Sequence, residues 1–123
     1  MKPITPAQVL SALGNHVGKA RGIHVRDLVM QITGELVGGE GQERSLRKLV
    51  TELRLEGHAI CAHPASGYFM AETAEELDET CRFLRSRALS SLRAEGRLRS
   101  ISLAELLGQF PLTESHPGEG ATA

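Results

Sequence analysis

The spacing of apolar residues changes partway along this chain, and that change restricts the fold more than any other feature. Before Gly57 the apolar residues recur at helical intervals; after it they read as strand, turn and strand. Val25, Leu28, Val29, Ile32 and Leu36 fall at i, i+3, i+4, i+7 and i+11, which predicts a helix from about Val25 to Leu36. Leu46, Leu49, Val50 and Leu53 repeat the pattern and predict a second helix from about Gln42 to Glu56, stopped by Gly57. His58 to His63, then Pro64-Ala65-Ser66, then Gly67 to Met70 predict a β-hairpin.

Local signals set the remaining elements. Thr5-Pro6-Ala7-Gln8 is a capping box with proline at the first helical position, opening a helix that carries Val9, Leu10 and Leu13 and stops at Gly14-Asn15. His16 to Gly22 reads as a basic loop, and Gly38-Gly39-Glu40-Gly41 as a flexible turn that continues neither neighbouring helix. Thr73-Ala74-Glu75-Glu76 is a second capping box, opening a long helix toward Leu92 or beyond with Leu77, Cys81, Leu84, Ala88 and Leu92 as its stripe. Gly96 is expected to end it, and Ser102-Leu103-Ala104-Glu105 to cap a last short helix with Leu106 and Leu107. From Pro111 the Thr-, Ser-, Pro- and Gly-rich sequence reads as a disordered tail. The expected organisation is therefore 1–71, a helical extension 72–110 and a tail 111–123. With aromatic residues at 3% and no Trp, the core must be built from Leu, Val, Ile and Ala, which favours helix on helix. The fold class expected is mainly α with a small β-hairpin.

Net charge is −1, so any surface for a polyanion must be local. One such surface is visible. On the helix from Gln42, Arg44, Arg47, Lys48 and Thr51 cluster opposite the apolar stripe, while Leu55 also points outward. The long helix places Glu72, Glu75, Glu76, Asp78 and Glu79 first and Arg82, Arg85, Arg87 and Arg93 later, the order a helix dipole favours. Its stripe is expected either to pack on the core or to form a homodimer seam through residues 73–95.

His58, Cys61 and His63 offer only two ligands on one strand face, short of the four a structural zinc site needs, so no metal or other cofactor is expected. The chain lacks a glycine-rich phosphate loop, GxSxG and HExxH, and no catalytic role is expected. Met1 to Pro6 lacks the apolar stretch of a secretory leader, and no apolar run approaches the roughly 18 residues that span a bilayer. A cytoplasmic protein with no membrane partner, its two thiols reduced, is the expectation.

The order helix, helix, turn, helix, hairpin, helix over about residues 5–71 resembles the winged helix-turn-helix domain, in particular the N-terminal domain of biotin-operon repressors. The residues carrying the resemblance are Leu53-Arg54-Leu55-Glu56-Gly57-His58-Ala59-Ile60 and the return strand Gly67-Tyr68-Phe69. The long helix after the hairpin is similar to that of small phage-type winged-helix proteins. Val37-Gly38-Gly39-Glu40-Gly41 is longer than the family's turn.

The resemblance implies binding to double-stranded DNA, as a transcriptional regulator or a mobile-element accessory factor. The helix 42–56 would enter the major groove through Arg44, Arg47, Lys48 and Thr51. Arg26, Gln31, Lys19 and Arg21 would hold the phosphate backbone. The wing tip His63-Pro64-Ala65-Ser66 has no Lys or Arg to add affinity. The alternative is a winged-helix adaptor that binds protein and not DNA.

Overall fold

The computed structural model describes residues 3–35 and 39–106, with side chains described as far as Ile101. In order, the elements are α1 (Pro6–Leu13), a 3-10 turn (Lys19–Arg21), α2 (Val25–Thr33), α3 (Gly39–Leu55), β1 (Ile60–His63), β2 (Gly67–Met70) and α4 (Ala74–Leu106). The fold is mainly helical, with one two-stranded antiparallel hairpin and a long last helix. Two compact units divide the chain, Met1–Arg82 and Phe83–Ala123.

In the first unit, the three early helices and the hairpin enclose one core. Val9, Ala12 and Leu13 of α1, Leu28 and Val29 of α2, Leu46, Val50 and Leu53 of α3, and Ile60 of β1 are buried together. Burying each of the larger side chains contributes about 1.5–3 kcal/mol, and Tyr68 is the aromatic residue packed against this core. α1 starts where its capping box predicts: Gln8 N–H donates to Thr5 Oγ1 (3.2 Å) and Thr5 N–H to Gln8 Oε1 (2.9 Å).

An isolated two-stranded hairpin is marginal in water, because both edges expose unpaired backbone groups. Here both edges are covered. Along β2, Ile23 and Tyr68 exchange N–H···O bonds of 2.8 and 2.7 Å, while Gly18 N–H donates to Met70 O and Met70 N–H to His16 O, each at 2.8 Å. Along β1, Arg54 Nε donates to Ile60 O (2.7 Å) and Thr80 Oγ1 accepts from Ala62 N–H (3.3 Å). The pleat then sorts side chains between two faces. Ile60, Tyr68 and Met70 face the helical core, whereas the paired Cys61 and Phe69, both buried, lie on the other side. There the Cys61 thiol donates to Glu76 O of α4 (3.7 Å). The stretch from His16 to Gly22, expected to be a basic loop, carries a 3-10 turn that isolated bridges at Val17 and Ile23 hold along β2.

Three expectations about glycine give way, each for a physical reason. α2 ends at Thr33 and not Leu36, because Gly34 takes the left-handed conformation (φ 77°) and its N–H closes on Met30 O. Leu36 lies outside the described residues. α3 starts at Gly39, three residues before Gln42, so Gly39-Glu40-Gly41 is helix. Gln42 is buried one turn before Leu46, and the helix runs back from it through Gly41 and Gly39, each of which costs about 1 kcal/mol relative to alanine. Gly96 does not end α4, and no separate helix starts at Ser102. Gly96 keeps an ordinary negative φ, and the Arg99–Glu95 ion pair (3.0 Å) spans it. Leu107 and the tail from Pro111 lie outside the described residues.

The second capping box forms by half. Thr73 Oγ1 accepts Glu76 N–H (3.1 Å), but the Glu76 carboxylate turns to Glu72 N–H (2.9 Å) and Lys19 N–H (3.0 Å).

Candidate nucleic-acid interface

With Leu46, Val50 and Leu53 buried, α3 turns Arg44, Arg47, Lys48 and Thr51 to solvent, and all four are exposed. Among the described residues Arg44 and Lys48 have no ion-pair partner. Arg47 leans on Glu43 across one helical turn (3.6 Å), with the Arg47 side chain 57% exposed and Glu43 partly buried. Thr51 Oγ1 donates to Arg47 O (3.2 Å), leaving its oxygen free as an acceptor. Leu55 is 84% exposed. It continues the row Arg44, Lys48, Thr51 at spacings of four, three and four, so the basic face ends in an apolar side chain.

The supporting residues separate into two kinds. Arg21 and Arg26 are exposed and lack ion-pair partners among the described residues. Gln31 and Lys19 are engaged. His16 joins the 3-10 turn to α2, its Nδ1 2.8 Å from Arg21 O and its Nε2 3.0 Å from Gln31 Oε1. Lys19 Nζ pairs with Glu79 Oε1 at 3.1 Å, and its backbone N–H holds Glu76. Those backbone N–H donors, Lys19 first and then Glu72, hold the Glu76 carboxyl below the ordinary Glu range.

Sequence reasoning missed two buried groups that shape the hairpin. Arg54 lies half-buried under β1, one terminal nitrogen fully buried without a hydrogen-bond partner, and burial lowers the pKa of its guanidinium. Burial also raises the Cys61 thiol, which therefore stays protonated and unreactive. Cys61 and Cys81 are both free thiols, and only Cys81 is exposed. Among the described residues no three His, Cys, Asp or Glu side chains are gathered as a metal site would need.

The hairpin tip carries no Lys, Arg, Asp or Glu, and His63 Nε2 lies 4.0 Å from Glu79 Oε2. One shallow depression runs over Glu75, Glu76, Asp78, Glu79 and Arg82, where Asp78 is already paired with Arg82 (2.7 Å). No helix among the described residues is long and apolar enough to cross a membrane. No model of a known family, no curated protein and no solved structure matches this chain.

Proposed function

We propose that residues 1–71 are a winged helix-turn-helix module and that the chain binds double-stranded DNA without catalysing a reaction, with α3 in the major groove. The observation that carries this reading is the exposed face of α3, where Arg44, Arg47, Lys48 and Thr51 stand opposite a buried stripe. A helix of this kind presents what base edges and phosphates require: forked donors from arginine, a point charge from lysine and a short hydroxyl. The order α2, α3, β1, β2 supports it. Arg21 and Arg26 add charge on the segment leading into α2 and on its first turn.

A hairpin tip without Lys or Arg leaves affinity to these side chains. Five charges at about 0.9 each set a slope of log K against log salt no steeper than about −4.5. Fluorescence anisotropy of a labelled duplex titrated across salt tests this. Binding that weakens with salt, and that disappears in the Arg44→Ala/Arg47→Ala/Lys48→Ala protein with its helical circular dichroism unchanged, is the expected result. Absence of binding at low salt, or affinity indifferent to salt, refutes it.

One observation favours a second reading, a protein-binding adaptor: Leu55, 84% exposed, shares the face with the basic residues. The same titration separates the two, since an adaptor leaves the duplex unbound.

A further inference from the structure

Along α4, Leu77, Cys81, Leu84, Ala88 and Leu92 follow at spacings of four, three, four and four and form one apolar row. All five are exposed, Leu77 and Leu84 by 39% and Leu92 by 60%. Phe83 and Leu89 are exposed as well but lie off this row, at about 140° and 100° around the helix from its centre. From Phe83 onward the described residues form a single helix. Contiguous exposed apolar surface of this kind marks an interaction face.

We propose that this row is the seam of an antiparallel pair of α4 helices supplied by two copies of the chain. Two features select a second copy running the opposite way. The row reads Leu, small, Leu, small, Leu from either end. An antiparallel copy therefore sets Leu77 against the partner's Leu92, Cys81 against the partner's Ala88 and Leu84 against the partner's Leu84, as a two-fold axis requires. Charge is also segregated along the helix. Glu72, Glu75, Glu76, Asp78 and Glu79 precede the centre of the row, and Arg85, Arg87, Arg93, Arg97 and Arg99 follow it. Arg82 and Glu95 break the segregation, but within their own helix Arg82 pairs with Asp78 and Glu95 with Arg99. Lys19 holds Glu79, which leaves Glu72, Glu75 and Glu76 to face Arg85, Arg87, Arg93 and Arg97. A parallel copy would set acids against acids and arginines against arginines; the antiparallel copy opposes the two signs. The pairing is independent of nucleic-acid binding.

Light scattering of the full chain eluting from a sizing column reads the first part. The expected mass is twice the chain mass of 13.3 kDa. Leu84→Glu/Leu92→Glu should raise the dimer dissociation constant more than about 100-fold and return the single-chain mass. Cys81, the exposed thiol, reads the orientation. In the antiparallel pair the two Cys81 residues are offset by seven positions, about 10 Å along the axis. That exceeds the roughly 7 Å between Cα atoms that a disulfide spans. Under oxidised glutathione, which is reduced to two thiols as two protein thiols join, the wild-type chain should form no covalent dimer. Ala88→Cys should form one with the partner's Cys81. A wild-type mass of one chain overturns the pairing. A wild-type disulfide through Cys81, or no cross-link in Ala88→Cys, overturns the antiparallel arrangement.

Discussion

Gly67 opens β2 at the point where the covering segment crosses it, and replacing it with alanine separates two costs that glycine substitutions usually mix. Gly67 has φ +83°, and a Cβ there would lie 2.4 Å from Ile23 O, 2.5 Å from Ile23 C and 2.6 Å from His24 N. Every one of these atoms is backbone. The left-handed conformation costs an alanine about 1–2 kcal/mol. Relieving the overlap requires a shift of about 1 Å, which breaks the two Ile23–Tyr68 bonds at about 1 kcal/mol each. The sum is about 3–4 kcal/mol, a fall in Tm of about 12–30 °C for a domain of this size.

Two controls isolate the parts. Gly57 has φ +101° with nothing within 4 Å of its Cβ, so Gly57→Ala should carry the conformational cost alone, about 1–2 kcal/mol. Gly22 has φ −62°, but its Cβ would meet Ser66 O at 2.3 Å, so Gly22→Ala should carry the clash alone, about 2 kcal/mol. Urea unfolding followed by circular dichroism at constant m-value measures all three. If Gly67→Ala costs no more than Gly57→Ala, residues 16–23 do not close on β2 and the account of the covered hairpin fails.

Substitutions at two further positions address charge. The Glu76 carboxyl is held below its unfolded value, so its contribution to stability is complete above the ordinary Glu range near pH 4.3 and is lost as pH falls through the lower folded value. The gap in urea midpoint between wild type and Glu76→Gln should therefore be present at pH 7 and close in acid; a constant gap would show that the charge is not what Lys19 and Glu72 hold. Arg54→Met keeps the packed stem and removes a buried N–H without a partner, at the loss of the Ile60 bond, so it should stay within about 1 kcal/mol of wild type, whereas Arg54→Ala should cost about 2 kcal/mol. An Arg54→Met penalty of 3 kcal/mol or more, about what an uncompensated buried partner costs, would reject this reading of the guanidinium.

What the sequence made legible is what neighbours within a few residues decide. The three early helices, the hairpin and the exposed face of α3 follow from spacing, and burial of Leu46, Val50 and Leu53 fixes which side Arg44 and Lys48 occupy. Glycine was the poorest guide, because its identity permits a left-handed residue without demanding one. Gly34 takes that conformation and stops α2; Gly96 does not and is passed through. Contacts between distant positions were not legible at all. Nothing in the neighbourhood of Lys19 announces Glu79, 60 residues away, and nothing near His16 announces Gln31. Two of the eight candidate backbone-binding and base-reading side chains are engaged for that reason.

Those engagements also resolve how a chain of net charge −1 can present a basic face at all. Acids that would oppose it are occupied in building the hairpin's surroundings. Glu76 accepts backbone N–H groups, Glu79 holds Lys19, and Asp78 pairs with Arg82. On α3, Arg44, Arg47 and Lys48 are matched in number by Glu40, Glu43 and Glu52, but among the described residues only Arg47 of the three is ion-paired, with Glu43, and Arg44 and Lys48 stand one turn apart. Exposed charges act over about 8 Å at physiological ionic strength, so a ligand at α3 responds to these few side chains and not to the total. Net neutrality therefore bears on how fast a polyanion is drawn in from a distance, whereas the local row Arg44, Lys48, Thr51, Leu55 decides what is held on arrival.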